Sequence, residues 1–67
     1  MEARIIKFKD RIELEFDYSG DAVDAVKGLE YRRWVPERKR WEIGRGEVQD
    51  ARQRLEELGY TVSETLG

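Results

Sequence analysis

Sixty-seven residues allow one small domain, near the lower limit at which an apolar core suffices without staples. The chain has no cysteine and no histidine, which excludes a disulfide framework and the usual structural zinc sites and leaves packing as the source of stability. Charged residues make up 42% of it yet balance to a formal −2, and apolar residues recur with clear periods, unlike a disordered segment.

In chain order, Arg4 to Phe8 and Arg11 to Asp17 alternate apolar and charged residues, a period of two that means strand. Pairing Phe8 with Ile12 and Ile6 with Leu14 puts four apolar side chains on one face and leaves Lys9-Asp10-Arg11 as the loop. A two-residue loop would pair Phe8 with Arg11 and mix the faces, so the pattern favours the longer turn. The outer face of this hairpin is then acidic and wet, through Glu13, Glu15 and Asp17.

Ser19 is placed to cap a helix that starts near Gly20 and ends near Gly28, with Ala22, Val23, Val26 and Leu29 as its apolar stripe. Tyr31 to Val35 and Arg40 to Ile43 flank Pro36-Glu37-Arg38-Lys39 and read as a second hairpin, with Trp34 opposite Trp41 and Arg32 opposite Ile43. After Gly44-Arg45-Gly46, residues Glu47 to Leu58 form the strongest helical pattern, with Val48, Ala51, Leu55 and Leu58 on one face and Gly59 as the stop. Tyr60 to Ser63 has strand composition, and the last four residues are expected to fray. The expected fold is α+β in two layers, order ββαββαβ: a mostly antiparallel sheet with both helices on one face. It is a single domain over 1–67 with its core in about 3–63. No long apolar run is present, so an intracellular protein without a membrane partner is expected, in the cytoplasm or with nucleoid or nuclear DNA.

Chemistry-bearing residues are few. Without histidine or cysteine, the hydroxyls of Ser19, Thr61, Ser63 and Thr65 have no evident base, and acyl transfer is not expected. Glu13, Glu15 and Asp17 are a conceivable magnesium cage, but alternating acids are more often the solvated side of a sheet, and no metal or cofactor is expected. Gly44-Arg45-Gly46 lacks the spacing and lysine of a P-loop, although a helix N-terminus beside Arg45 suits one backbone phosphate.

Positive charge is concentrated in one place. Residues 31 to 45 hold six bases against two acids, whereas residues 10 to 30 hold seven acids against two bases. Arg32, Arg33, Arg38, Lys39, Arg40 and Arg45 all fall on the second hairpin and its exit, and arginine dominates there, as bidentate phosphate contact favours. Both tryptophans flank the same turn. Trp41 alternates with Ile43 and reads as core, while Trp34 reads either as core or as a rim on which a base can stack.

The run Trp34-Val35-Pro36-Glu37-Arg38-Lys39-Arg40-Trp41 between a short and a longer helix resembles the aromatic-x-Pro-x-x-Lys-x-Trp pattern of the HARP domain of annealing helicases. The order of elements over about residues 3 to 63 resembles the N-terminal damage-recognition domain of XPB-type helicases. An aspartate often found before the proline in that pattern is Val35 here, and the outer strands are more acidic. The resemblance implies a non-catalytic module that grips forked, branched or distorted DNA and assists a helicase or nuclease in cis or in trans. By motif position, Trp34, Arg38, Lys39, Arg40 and Trp41 carry over; the charged residues would contact the backbone, with Pro36 and Trp41 as structural support. Replacing Arg38, Lys39 and Arg40 by glutamate is then expected to abolish fork binding without unfolding. The alternative is a protein-interaction module that docks its hairpin or an edge strand onto a DNA-processing enzyme. A magnesium-dependent nuclease using Glu13, Glu15 and Asp17 ranks below both.

Overall fold

The computed structural model describes all of residues 1–67. Five strands, β1 (Glu2–Lys7), β2 (Ile12–Phe16), β3 (Arg32–Val35), β4 (Arg40–Ile43) and β5 (Thr61–Leu66), and two helices, α1 (Gly20–Lys27) and α2 (Val48–Glu57), follow the order ββαββαβ. The strands form one sheet in the order β3-β4-β2-β1-β5, antiparallel throughout except for the parallel pair β1 and β5. No helix is long and apolar enough to cross a membrane.

The topology explains why both helices share a face. α1 connects β2 to β3 and skips β4, and α2 connects β4 to β5 and skips β2 and β1, so each helix is a crossover between strands that run the same way. The two crossovers travel in opposite directions on oppositely directed strands, and the right-handed rule then puts both on one side of the sheet. Beneath them lie Ala3, Ile5, Ile12, Leu14 and Ile43, packed against Ala22, Val26 and Leu29 near α1 and against Ala51, Leu55 and Tyr60 from α2 and its exit. Phe16, Trp41, Val48 and Val62 pack at the margin of this core.

Local chemistry sets the ends of the helices. Ser19 is extended and its hydroxyl accepts from the Ala22 N–H at 3.1 Å, the N-cap that the sequence signals. The Tyr60 hydroxyl donates to the Asp17 carbonyl at 2.6 Å and lies 3.0 Å from Ser19 Oγ, tying the α1 cap to the residue just before β5. Ser19→Ala should therefore lower stability by about 1 to 2 kcal/mol, at the upper end for a cap, as read from the urea midpoint. Arg45–Glu47 form a single 3-10 turn before α2, so the second helix begins one residue later than its pattern suggests. Gly59 takes φ +92° after α2, a conformation that favours glycine.

The second hairpin has the expected register, with Trp34 opposite Trp41 and Arg32 opposite Ile43. The first does not. Ile5 pairs with Leu14, Ile6 with Glu13 and Lys7 with Ile12, and the Phe8 N–H donates to the Arg11 carbonyl, which leaves the two-residue loop Lys9-Asp10. Ile5 and Ile6 therefore point to opposite faces, and both are buried. Alternation could not show this, because it assumes one wet face, whereas here Ile6, Glu13 and Val35 are buried on the face without helices as well.

The other departures concern the second helix and the C-terminus. Leu58 on the expected apolar face of α2 is exposed, because the helix ends one residue before it. Instead of fraying after Ser63, β5 continues to Leu66, pairing parallel to β1 over its full length, and the Gly67 N–H reaches the Lys7 carbonyl at 2.9 Å. Glu64 is held by Lys7 Nζ at 2.6 Å and by Arg52 Nη2 at 2.9 Å, contacts between residues distant in sequence that no local reading anticipates.

Candidate functional site

On the face without helices, Glu13 is fully buried and its carboxylate meets three guanidinium groups: Arg11 Nε at 2.8 Å, Arg38 Nε at 2.7 Å and Arg40 Nη1 at 3.1 Å. Arg40 Nε also reaches Glu15 at 3.1 Å, and Glu15 pairs with Arg4. The expectation of a wet acidic face is thus overturned at Glu13. Ile6 and Val35 are also buried on this face, without any helix above them. Burial pushes the Glu13 carboxyl up, but hydrogen bonds from Arg11 and Arg40 and the charge of Arg38 outweigh it and hold the group below the usual carboxylate range.

This network changes what the basic hairpin presents. Arg38 and Arg40 are committed to Glu13, and Arg33 pairs with Glu42 at 2.9 Å. Of the seven residues that the sequence singles out as nucleic-acid contacts, Arg32, Lys39 and Arg45 are cations without a carboxylate partner, and Trp34 is the exposed aromatic. Arg32 Nε donates to the Lys27 carbonyl at 3.1 Å, and Arg45 Nη2 donates to the Lys9 carbonyl at 2.6 Å. These bonds fix the guanidinium groups without cancelling their charge. The triple Arg38, Lys39, Arg40 to glutamate replacement would add carboxylates beside buried Glu13, so its consequence is unfolding before any loss of binding.

The turn sends its two central cations to opposite faces. Arg38 curls towards Glu13, whereas Lys39, at φ +52°, lines a cleft on the helix side of the sheet. A lysine in the left-handed region bears backbone strain that glycine or asparagine would avoid. The cleft has a volume of about 340 Å³ and is walled by Leu14, Phe16, Tyr18, Val23, Trp34 and Trp41, with Glu15 and Lys39 as its charged members. Trp41 is partly buried against the core, as expected, and supports Trp34 edge to face with ring centroids 5.4 Å apart. Trp34 remains 45% exposed and Tyr18 81% exposed, so aromatic surface faces solvent at the mouth.

Val23 and Tyr18, which contribute to the cleft, were missed as site residues; alternation and helical stripes assign such positions to core or loop, and only the sheet brings them beside Trp34. Val35 before Pro36 is buried, so in this chain that position helps to close the second face. Glu13, Glu15 and Asp17 do not converge as a cation cage: the first two are held by arginines, and Asp17 Oδ2 accepts from the Glu2 N–H at 2.8 Å. No family model matches the chain, and comparison with curated proteins and with solved structures finds no match either.

Proposed function

We propose that this domain is a non-catalytic DNA-binding module that takes an unpaired base into the Trp34 cleft, and so selects forked, branched or distorted DNA over regular duplex. The observation that carries the reading is the exposed aromatic cleft beside Lys39, the one cation of the turn with no acidic partner. Aromatic faces accept any base in a stack but reach only bases already released from a duplex, which is the state offered at forks and lesions. Lys39 at the rim supplies a phosphate contact. The arginines around Glu13 act as a brace that holds the hairpin in place. A module of this kind serves a helicase or nuclease, in the same chain or as a partner, by holding the strand on which that enzyme acts.

Tryptophan fluorescence titrated with single-stranded, forked and fully paired oligonucleotides at two salt concentrations tests the reading. Quenching by the first two at lower concentrations than by the duplex is expected, and Lys39→Glu should weaken single-strand binding about tenfold while leaving the unfolding free energy within about 0.5 kcal/mol. Equal response to all three oligonucleotides would refute the selection of unpaired bases. No response to any of them would favour a protein partner on the same surface.

A further inference from the structure

Every carboxylate-free cation of this protein lies on the helix side or at the ends of the second hairpin and its neighbours. Eight of the thirteen basic side chains take part in ion pairs, and the five left are Lys9, Lys27, Arg32, Lys39 and Arg45, all exposed. Four of them are gathered by the backbone into two neighbouring pairs: the Arg32 guanidinium sits on the Lys27 carbonyl, and the Arg45 guanidinium sits on the carbonyls of Phe8 and Lys9. Between the pairs lies Tyr31, 74% exposed, whose carbonyl accepts from the Gly44 N–H at 3.1 Å. Glu30 and Glu47 are at the same end, where the Glu47 carboxylate accepts from the Glu30 N–H at 2.9 Å, and Asp10 beside Lys9 pairs with Arg11, so this end holds five cations and three acids.

Strand β3 is one of the two edges of the sheet, β5 being the other, and it joins this basic end to the cleft. Arg32 and Trp34 are two residues apart on the same face of the strand, about 6.6 Å along it. From the tip, the edge presents Lys39, the Trp34 cleft, the Arg32 and Lys27 pair and exposed Tyr31; the Arg45 and Lys9 pair follows across the end of the sheet, where Arg45 leaves β4 towards the loop between β1 and β2. Cation, aromatic, cation, aromatic, cation is the sequence of groups that suits an extended single strand, whose phosphates and bases alternate along its length. Regular duplex offers no such series of free bases.

We infer that single-stranded nucleic acid lies along the β3 edge and turns across the adjoining end of the sheet, with Lys27, Arg32, Lys9 and Arg45 as a second phosphate-binding segment beyond the Trp34 cleft and Tyr31 as a second stacking platform. This rests on the reading of the cleft as a base site. It assigns function to Lys9, Lys27 and Tyr31 and removes it from Arg33, Arg38 and Arg40, whose charges are spent within the protein.

Lys9→Gln together with Lys27→Gln is the discriminating variant, because neither ammonium group has a protein partner to lose. The probe is a twelve-nucleotide oligothymidylate, followed by tryptophan fluorescence and by anisotropy of a 5′-labelled strand, over a salt series. If the track exists, the parent quenches on binding, and the variant still quenches but binds on the order of tenfold more weakly, with a salt slope lower by about 1.4. A parent that binds and a variant with unchanged affinity and slope would overturn the second segment while leaving the cleft reading intact. A parent that gives neither quenching nor anisotropy change would overturn the cleft reading and this inference with it.

Discussion

Glu13→Ala is expected to lower the stability of the domain by about 3 kcal/mol, a large share of the roughly 3 to 10 kcal/mol that a chain of this length commands. The Glu13 side chain is wholly shielded from water, and its removal would leave the guanidinium groups of Arg11, Arg38 and Arg40 facing one another without their common partner. Those arginines are between one quarter and two fifths exposed, so they can relax partly into solvent, which places the loss at the lower end for a broken buried ion pair.

The same network predicts an acid-sensitive fold. Burial raises the Glu13 and Glu15 carboxyls, but hydrogen bonds from Arg11 and Arg40 to the first, and from Arg4 and Arg40 to the second, leave both below the ordinary carboxylate range. Hydrogen bonds from Lys7 and Arg52 lower Glu64 as well. A folded-state value below the unfolded one means that the unfolded chain takes up protons first. The stabilisation is complete above the unfolded range and is lost as pH falls from about 5 through the lowered folded values. Urea midpoints measured from pH 7 down to pH 3 should fall more steeply for the parent than for Glu13→Gln. Parallel acid profiles for the two proteins would refute the role given to Glu13.

Trp34→Ala should reduce affinity for single-stranded oligonucleotides by about tenfold to a hundredfold, the usual value of one base-stacking aromatic, with a stability loss of about 1 kcal/mol or less. Its ring is nearly half exposed and contributes the accessible wall of the cleft, so binding suffers more than folding. Trp41→Ala is the contrasting variant: it removes the ring that supports Trp34 and packs on the core, and stability should fall by about 3 kcal/mol. If both substitutions lowered stability equally and neither altered oligonucleotide affinity beyond the loss of folded protein, the cleft would be a structural feature alone.

The second hairpin was legible because its signals are local. Pro36 within a four-residue loop between aromatic-rich runs sets the pairing of Trp34 with Trp41, and nothing distant needs to agree with it. The α1 cap at Ser19 and the stop of α2 at Gly59 were legible for the same reason. The first hairpin was misread because its register follows from burial on both faces, and on the face without helices Glu13, opposite Ile6, is met by Arg38 and Arg40, which lie 25 and 27 residues away in the chain.

The sequence by itself determined the order of elements, the two-layer class and the clustering of basic residues with both tryptophans in one hairpin, since each of these depends on period, turn chemistry or composition within a short window. Only the tertiary structure decided which of those bases remain available as charge. Residue count makes residues 31 to 45 strongly positive, but the sheet sets β2 beside β4, and Glu13 and Glu15 from β2 neutralise Arg40 of β4 and Arg38 of the turn before it. Coulomb pairing acts through space and falls off over a few ångströms, so a charge run in the chain becomes a charged surface only where folding brings no counter-charge to meet it.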